Sequence, residues 1–219
     1  MRRFRTMSKR RHNIPTLLLL LTLTATACEE TGTGGATAAE KIALGWTAFE
    51  ASDITAAFSR FNEAVSIDPL NAEAHHGMGW VRLLRGELSQ AQSSFTSANS
   101  NGLTTIDVDA GLAITCRDLP DLNLAISKAR AVLASSSTWS FSHRTSIDWK
   151  DMRLVIAQCS YRLGEDHFDD AQAELDILDA DNGLDPADSG TWSVESVTYD
   201  TYAEALLMAI EALEGTIAG

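Results

Sequence analysis

From Ala38 onward apolar and small residues return at helical spacing, and the whole pattern recurs after 34 residues. Leu44-Gly45-Trp46 comes back as Met78-Gly79-Trp80, Asp53-Ile54 as Glu87-Leu88, Ala57 as Ala91, Phe61 as Phe95 and Ala64 as Ala98. A third stretch holds the same offset with Leu112-Ala113, Asp121-Leu122, Ala125, Ala129 and Val132. A fixed period of this length marks stacked helix-turn-helix units, each of which needs its neighbour to bury its apolar face.

The residue types explain themselves physically. Gly45, Ala57 and Ala64 are small where helices must approach closely, and Leu44, Ile54 and Phe61 are placed to fill the space between them. Asp53 sits where it can cap the second helix, and Pro69 stops that helix and turns the chain into the next unit. Pro120 occupies the interhelical turn where Gly86 stood. After Val132 the rhythm breaks. A Ser-rich stretch, Ser135 to Ser146, lengthens the connection and carries Trp139, Phe141 and His143. Ile147 to Gly164 then predicts another first helix, and Asp170 to Asp179 its partner. A polar loop, Asp181 to Thr191, leads to a last helix expected from about Val197 to Leu213, a cap for the open end of the stack.

These units resemble the tetratricopeptide repeat (TPR), on Leu44-Gly45, Ala57, Phe61, Ala64 and Asp68-Pro69 and their counterparts. Lys41 and Ala48 depart from the family pattern, which has aromatics there, and Leu103 stands in place of the second Pro. The resemblance implies an all-α solenoid with repeats at about 38–71, 72–105 and 106–137, a degenerate one at 147–180 and a capping helix at 197–213. It also implies that the first helix of each repeat lines a concave groove. The residues after the small slots (Trp46, Trp80, Ile114 and Gln158) would face into it. One turn on lie Phe49, Leu83, Arg117 and Tyr161; one turn before lie Ile42, His76, Ala110 and Leu154. An exposed aromatic strip of this kind grips an extended peptide or an amphipathic helix. The other reading is that Trp46 and Trp80 pack between helices. Some TPR domains clamp a carboxyl terminus with Lys, Asn and Arg; here Ile42, Trp46, His76 and Trp80 stand at those places, so apolar contact is expected instead.

The first 27 residues read as an export signal. Arg2, Arg3, Arg5, Lys9, Arg10 and Arg11 precede a short apolar run, Leu17 to Leu23, and then small residues up to Cys28. The run is too short for a permanent membrane span. Ala25-Thr26-Ala27-Cys28 resembles a bacterial lipobox, in which the Cys is acylated and begins the mature chain; Ala25-x-Ala27 also fits ordinary signal peptidase. Residues 28–37 then form a tether of Gly and Thr. The expectation is a lipoprotein at the periplasmic face of a Gram-negative envelope, most naturally on the outer membrane.

Charge narrows the partners. Those six cations belong to the 17 basic residues of the chain, so the rest carries 11 basic against 30 acidic. An acidic body of this kind repels polyanions, which excludes nucleic acid as a partner. The remaining cysteines, Cys116 and Cys159, fall at similar places in two first helices, open to a disulfide or to two buried thiols. His75 and His76 point about 100° apart on one helix and do not share an ion. Asp179-x-Asp181-Asn182-Gly183-x-Asp185 resembles a calcium loop with its Gly one residue early and its closing Glu missing. No nucleophile–base pair, phosphate loop or paired-carboxylate motif is evident, so neither catalysis nor a cofactor is expected. The sequence therefore reads as an interaction scaffold for another envelope protein or peptide, of unassigned oligomeric state. The alternative is a calcium- or small-ligand-binding lipoprotein using the acidic C-terminal loops.

Overall fold

The structure is a computed structural model that describes residues 36–217. The export segment, Cys28 and all but the last two residues of the tether lie outside that range. Four antiparallel helix pairs follow one another: α1 (Ala38–Glu50) with α2 (Ile54–Ile67), α3 (Ala72–Leu84) with α4 (Leu88–Ser100), α5 (Ile106–Arg117) with α6 (Leu122–Ser135), and α7 (Trp149–Leu163) with α8 (Phe168–Leu178). A last helix, α9 (Tyr202–Ile217), packs on α7 and α8. The first helices of the pairs also touch one another in order, α1 to α3 to α5 to α7, and form the inner layer of the stack. Among the described residues no helix is long and apolar enough to cross a membrane.

Local signals place the helix starts. Thr37 and Glu40 form a reciprocal capping box on α1, Asp53 accepts from the Ala56 amide at 2.9 Å, and Asn71 accepts from Ala74 at 3.0 Å. Asp148 and Asp151 box the start of α7. The turns within the first two pairs use a left-handed residue: Ser52 at φ 60° and, 34 residues later, Gly86 at φ 73°.

Two phenylalanines set the spacing of the layers. The fully buried ring of Phe61 lies between Gly45 on α1 and Gly77 on α3, and that of Phe95 between Gly79 on α3 and Gly111 on α5. A Cβ at Gly45 would stand 2.7 Å from the Phe61 ring, one at Gly79 2.6 Å from Phe95, and at Gly77 and Gly111 closer still. Ala129, also fully buried, holds the equivalent place in α6, which packs against α7. The inner layer thus continues without a third wedge.

Two expectations need correction, and one left open is decided. Leu44 is 49 % exposed, because α1 begins the described stack and no earlier repeat covers that side. The last helix begins at Tyr202, not Val197, because β1 (Ser193–Val194) and β2 (Val197–Thr198) pair as a small antiparallel hairpin through left-handed Glu195 and Ser196. Cys116 and Cys159 are free, buried thiols and form no disulfide. Burial pushes the Cys159 thiol up to about 11 and raises Cys116 as well, so both stay protonated at neutral pH.

Two Gly→Ala substitutions, one inside the Phe61 slot and one away from it, should have opposite effects. Gly77→Ala forces a methyl into the ring and should cost about 1–3 kcal/mol in urea unfolding. Gly215→Ala, within α9 and with open space around the added carbon, should stabilise by about 0.5–1 kcal/mol.

Candidate functional site

The inner layer does bring the expected groove residues to one face, but its two halves differ. Ile42, Trp46, Phe49, His76 and Trp80 are all buried; Trp80 is 0 % and Phe49 2 % exposed. The exposed aromatic strip is therefore absent. What covers it is the Ser-rich insertion between α6 and α7. Phe141, itself fully buried, stacks on Trp80 with ring centroids 4.1 Å apart and packs edge-on against Trp46, Phe49 and His76. His143 stacks on Trp46 with ring centroids 3.9 Å apart and the ring planes nearly parallel, and its Nδ1 lies 2.7 Å from Glu50 at the end of α1.

The insertion is a small folded unit. The Phe141 amide donates to the Ile147 carbonyl at 2.9 Å, the Trp149 amide to the Trp139 carbonyl at 2.8 Å, and Ser140 bridges Asp148 in antiparallel fashion. Its root is Trp139, buried, with the indole N–H donating to Asp107 at 2.8 Å. Its apex, Phe141 to Arg144, is what reaches the inner layer. The cue in the sequence was the run Trp139-x-Phe141-x-His143, three rings inside an otherwise polar stretch.

Beneath this roof a polar network joins α1 and α3. The Trp46 indole N–H donates to Glu73 Oε1 at 2.8 Å, and the Trp80 indole N–H donates to His76 Nε2 at 3.0 Å. His76 Nδ1 lies 3.5 Å from the same Glu73 oxygen. The His76 ring beside it, helped by the Trp46 indole N–H, holds the Glu73 carboxyl below its usual value of 4.5.

The C-terminal half is open. Leu83, Ile114, Arg117 and Tyr161, all partly exposed, line two adjoining clefts whose far wall is α9, with Ile210, Glu214 and Ile217. The larger, of about 500 Å³, is floored by Leu83, Ile114, Leu154 and Val155. Arg117 joins the two clefts. Burial works against its charge, but Asp118, paired at 3.0 Å, and Glu214 at 3.9 Å together hold the guanidinium ionised. It also donates to Gln158 at 3.3 Å, and Arg162 donates to its backbone carbonyl. On the cleft wall, burial raises the Asp151 carboxyl despite the Asp148 amide that donates to it. The wall formed by α9 had no counterpart in the repeat pattern.

The acidic C-terminal loop spends its side chains on itself. Asn182 donates to Asp176 and to the Asp179 carbonyl and accepts from the Leu184 amide, while Asp185 accepts from the Ala187 amide. Among the described residues no group of three or more His, Cys, Asp or Glu is placed to hold a metal ion.

No protein-family model matches the chain. No curated protein matches it either. Solved structures do. YrrB, described as a TPR protein with an unusual peptide-binding site, superposes with a TM-score of 0.56 over 83 % of this chain and 89 % of its own, at 17 % identity. A tetratricopeptide repeat protein from Parabacteroides merdae superposes with a TM-score of 0.51 at 18 % identity, over 83 % of this chain. This chain spans 62 % of the length of that relative. The fold is that of a TPR-like α-solenoid.

The low carboxyl value of Glu73 gives the buried network a pH signature. A carboxylate whose folded value is depressed contributes stability above its unfolded value and loses it as pH falls through the folded one. The melting temperature of the wild type should therefore fall more steeply below about pH 4.5 than that of Glu73→Gln, which cannot ionise. Parallel curves would remove Glu73 from the account of acid stability.

Proposed function

We propose that the protein is a non-enzymatic interaction scaffold of the bacterial cell envelope, held on the membrane by acylated Cys28 and binding a segment of another envelope protein. The observation that supports binding most directly is the open half of the concave face. Apolar Leu83, Ile114, Leu154 and Val155 form its floor, and Arg117 at its edge is fixed by Asp118, Gln158 and Glu214. An apolar floor with one oriented cation accepts the apolar side of an extended peptide or a helix and selects its register by a single charge contact. YrrB carries a peptide-binding site on the same fold, which favours this use of the face. The envelope placement is supported by the sequence alone: the basic start, the apolar run and Ala25 to Cys28. The net acidity of the body argues against nucleic acid as partner.

The reading as a calcium- or small-ligand-binding lipoprotein has less in its favour, since the acidic loop between α8 and α9 is satisfied by its own amides and amide side chains.

Two expected outcomes follow. Cells given an alkynyl fatty acid should label the full-length protein, and Cys28→Ser should lose the label; a labelled Cys28→Ser protein would refute the anchor. In affinity capture from envelope extract, the body from Glu29 onward should retain a specific partner. Leu83→Glu with Ile114→Glu should lose it by an order of magnitude or more, since each buries a charge in the apolar floor. Leu70→Glu, at a turn residue that is 74 % exposed, should keep it. Equal capture by all three would remove the open cleft from the binding surface.

A further inference from the structure

We propose that the insertion between α6 and α7 is an internal pseudo-ligand that closes the aromatic half of the concave face. In this account the closed half is a second peptide site, taken by a partner segment that carries an aromatic residue and, two positions later, a basic one. The proposal rests on the reading that the concave face binds partner segments, and extends it to a part of the face that the chain itself occupies.

The occupant defines the site. Phe141 fills a slot between Trp80, Trp46, Phe49 and His76, residues that the repeat register places on the inner helices α1 and α3. Two residues on, His143 lies flat on Trp46 and directs a ring nitrogen to Glu50. A slot for one ring, then a stacking surface ending in a carboxylate, is what an aromatic-x-basic segment would meet when turned as Phe141 to Arg144 is, with the Arg144 amide donating to the Phe141 carbonyl at 3.0 Å. Glu73, with its carboxyl held ionised beside the same indole, adds negative charge to that end of the site.

The manner of attachment permits exchange. All backbone–backbone hydrogen bonds from Ser136 to Trp149 stay within the insertion or run to the end of α6. The apex is joined to the inner helices by ring contacts and by one side-chain hydrogen bond, His143 to Glu50. Lifting the apex about the Trp139–Asp107 root therefore leaves no backbone group of the inner helices without a partner. What holds the apex closed is the burial of Phe141 and its tethering. A tethered segment acts at an effective concentration on the order of millimolar, so a free partner segment displaces it only by binding correspondingly more tightly.

The test uses the chain's own sequence as probe. A fluorescein-labelled peptide of residues 138–147 is titrated into the body from Glu29 onward, wild type and Phe141→Ser/His143→Ser, which keeps the Trp139 root. The double variant should bind at least about tenfold more tightly than wild type, whose open fraction scales down its apparent affinity. A peptide with Ala at its Phe position should lose that binding. A folded double variant that binds no better than wild type overturns the proposal. Should the variant fail to fold, His143→Ser alone, which keeps Phe141, is titrated in its place; it should bind the peptide more tightly than wild type, and binding no tighter overturns the proposal. Neither measurement involves an envelope partner, so failure here is separate from failure of the capture experiment.

Discussion

Phe61 and Phe95 each occupy a slot that exists only because glycines on both sides lack a side chain. The ring comes from the outer helix of one repeat and reaches through to the inner helix of the next, so a single residue locks three helices at one spacing. Such a wedge has little tolerance in either direction. A smaller ring leaves a void, and a methyl on any of the four glycines overfills the site. Because the inner helices meet at these wedges, their remaining faces point to one side, and the concave surface follows from that constraint. The capping residues start the helices at the right places; the wedges decide how the helices lie.

On that surface the aromatic residues have an unusual fate. In an open solenoid, indoles on the inner helices would face solvent, with their N–H groups hydrated. Here Trp46 and Trp80 are covered, and each N–H has found an internal partner in Glu73 or His76. Burying the pair demands that network, since an unpartnered indole N–H in an apolar interior carries a large penalty. The open half of the face is built differently, from aliphatic side chains and one guanidinium held by three neighbours. The two halves thus present distinct chemistries to a partner along one continuous layer of helices.

Much of this was readable from the chain. The 34-residue offset identified the repeats; Asp53 marked a helix start, and Phe61 and Phe95 marked the core. Local spacing carries such features because they depend on neighbours within one repeat or the next. The roof over the groove was not readable in that way. Phe141 meets Trp46 from 95 positions away, and no periodicity records a contact made by a loop folding back across two repeats. Leu44 was misplaced for a similar reason: its burial depends on a preceding repeat that the described stack does not have. The late start of α9 reflects a two-residue hairpin whose strands are too short to leave a pattern.

The insertion also changes how the molecule must come apart. A plain solenoid has only contacts between adjacent units, and its repeats can fray from either end almost independently. By seating Phe141 and His143 on α1, the insertion connects the first helix pair to the segment entering α7, like a chord drawn across an arc. With the chord in place, the curvature is pinned and the first three repeats share one cooperative fate. With the chord lifted, the same helices become a chain of springs, able to widen or tighten around whatever lies along their inner face.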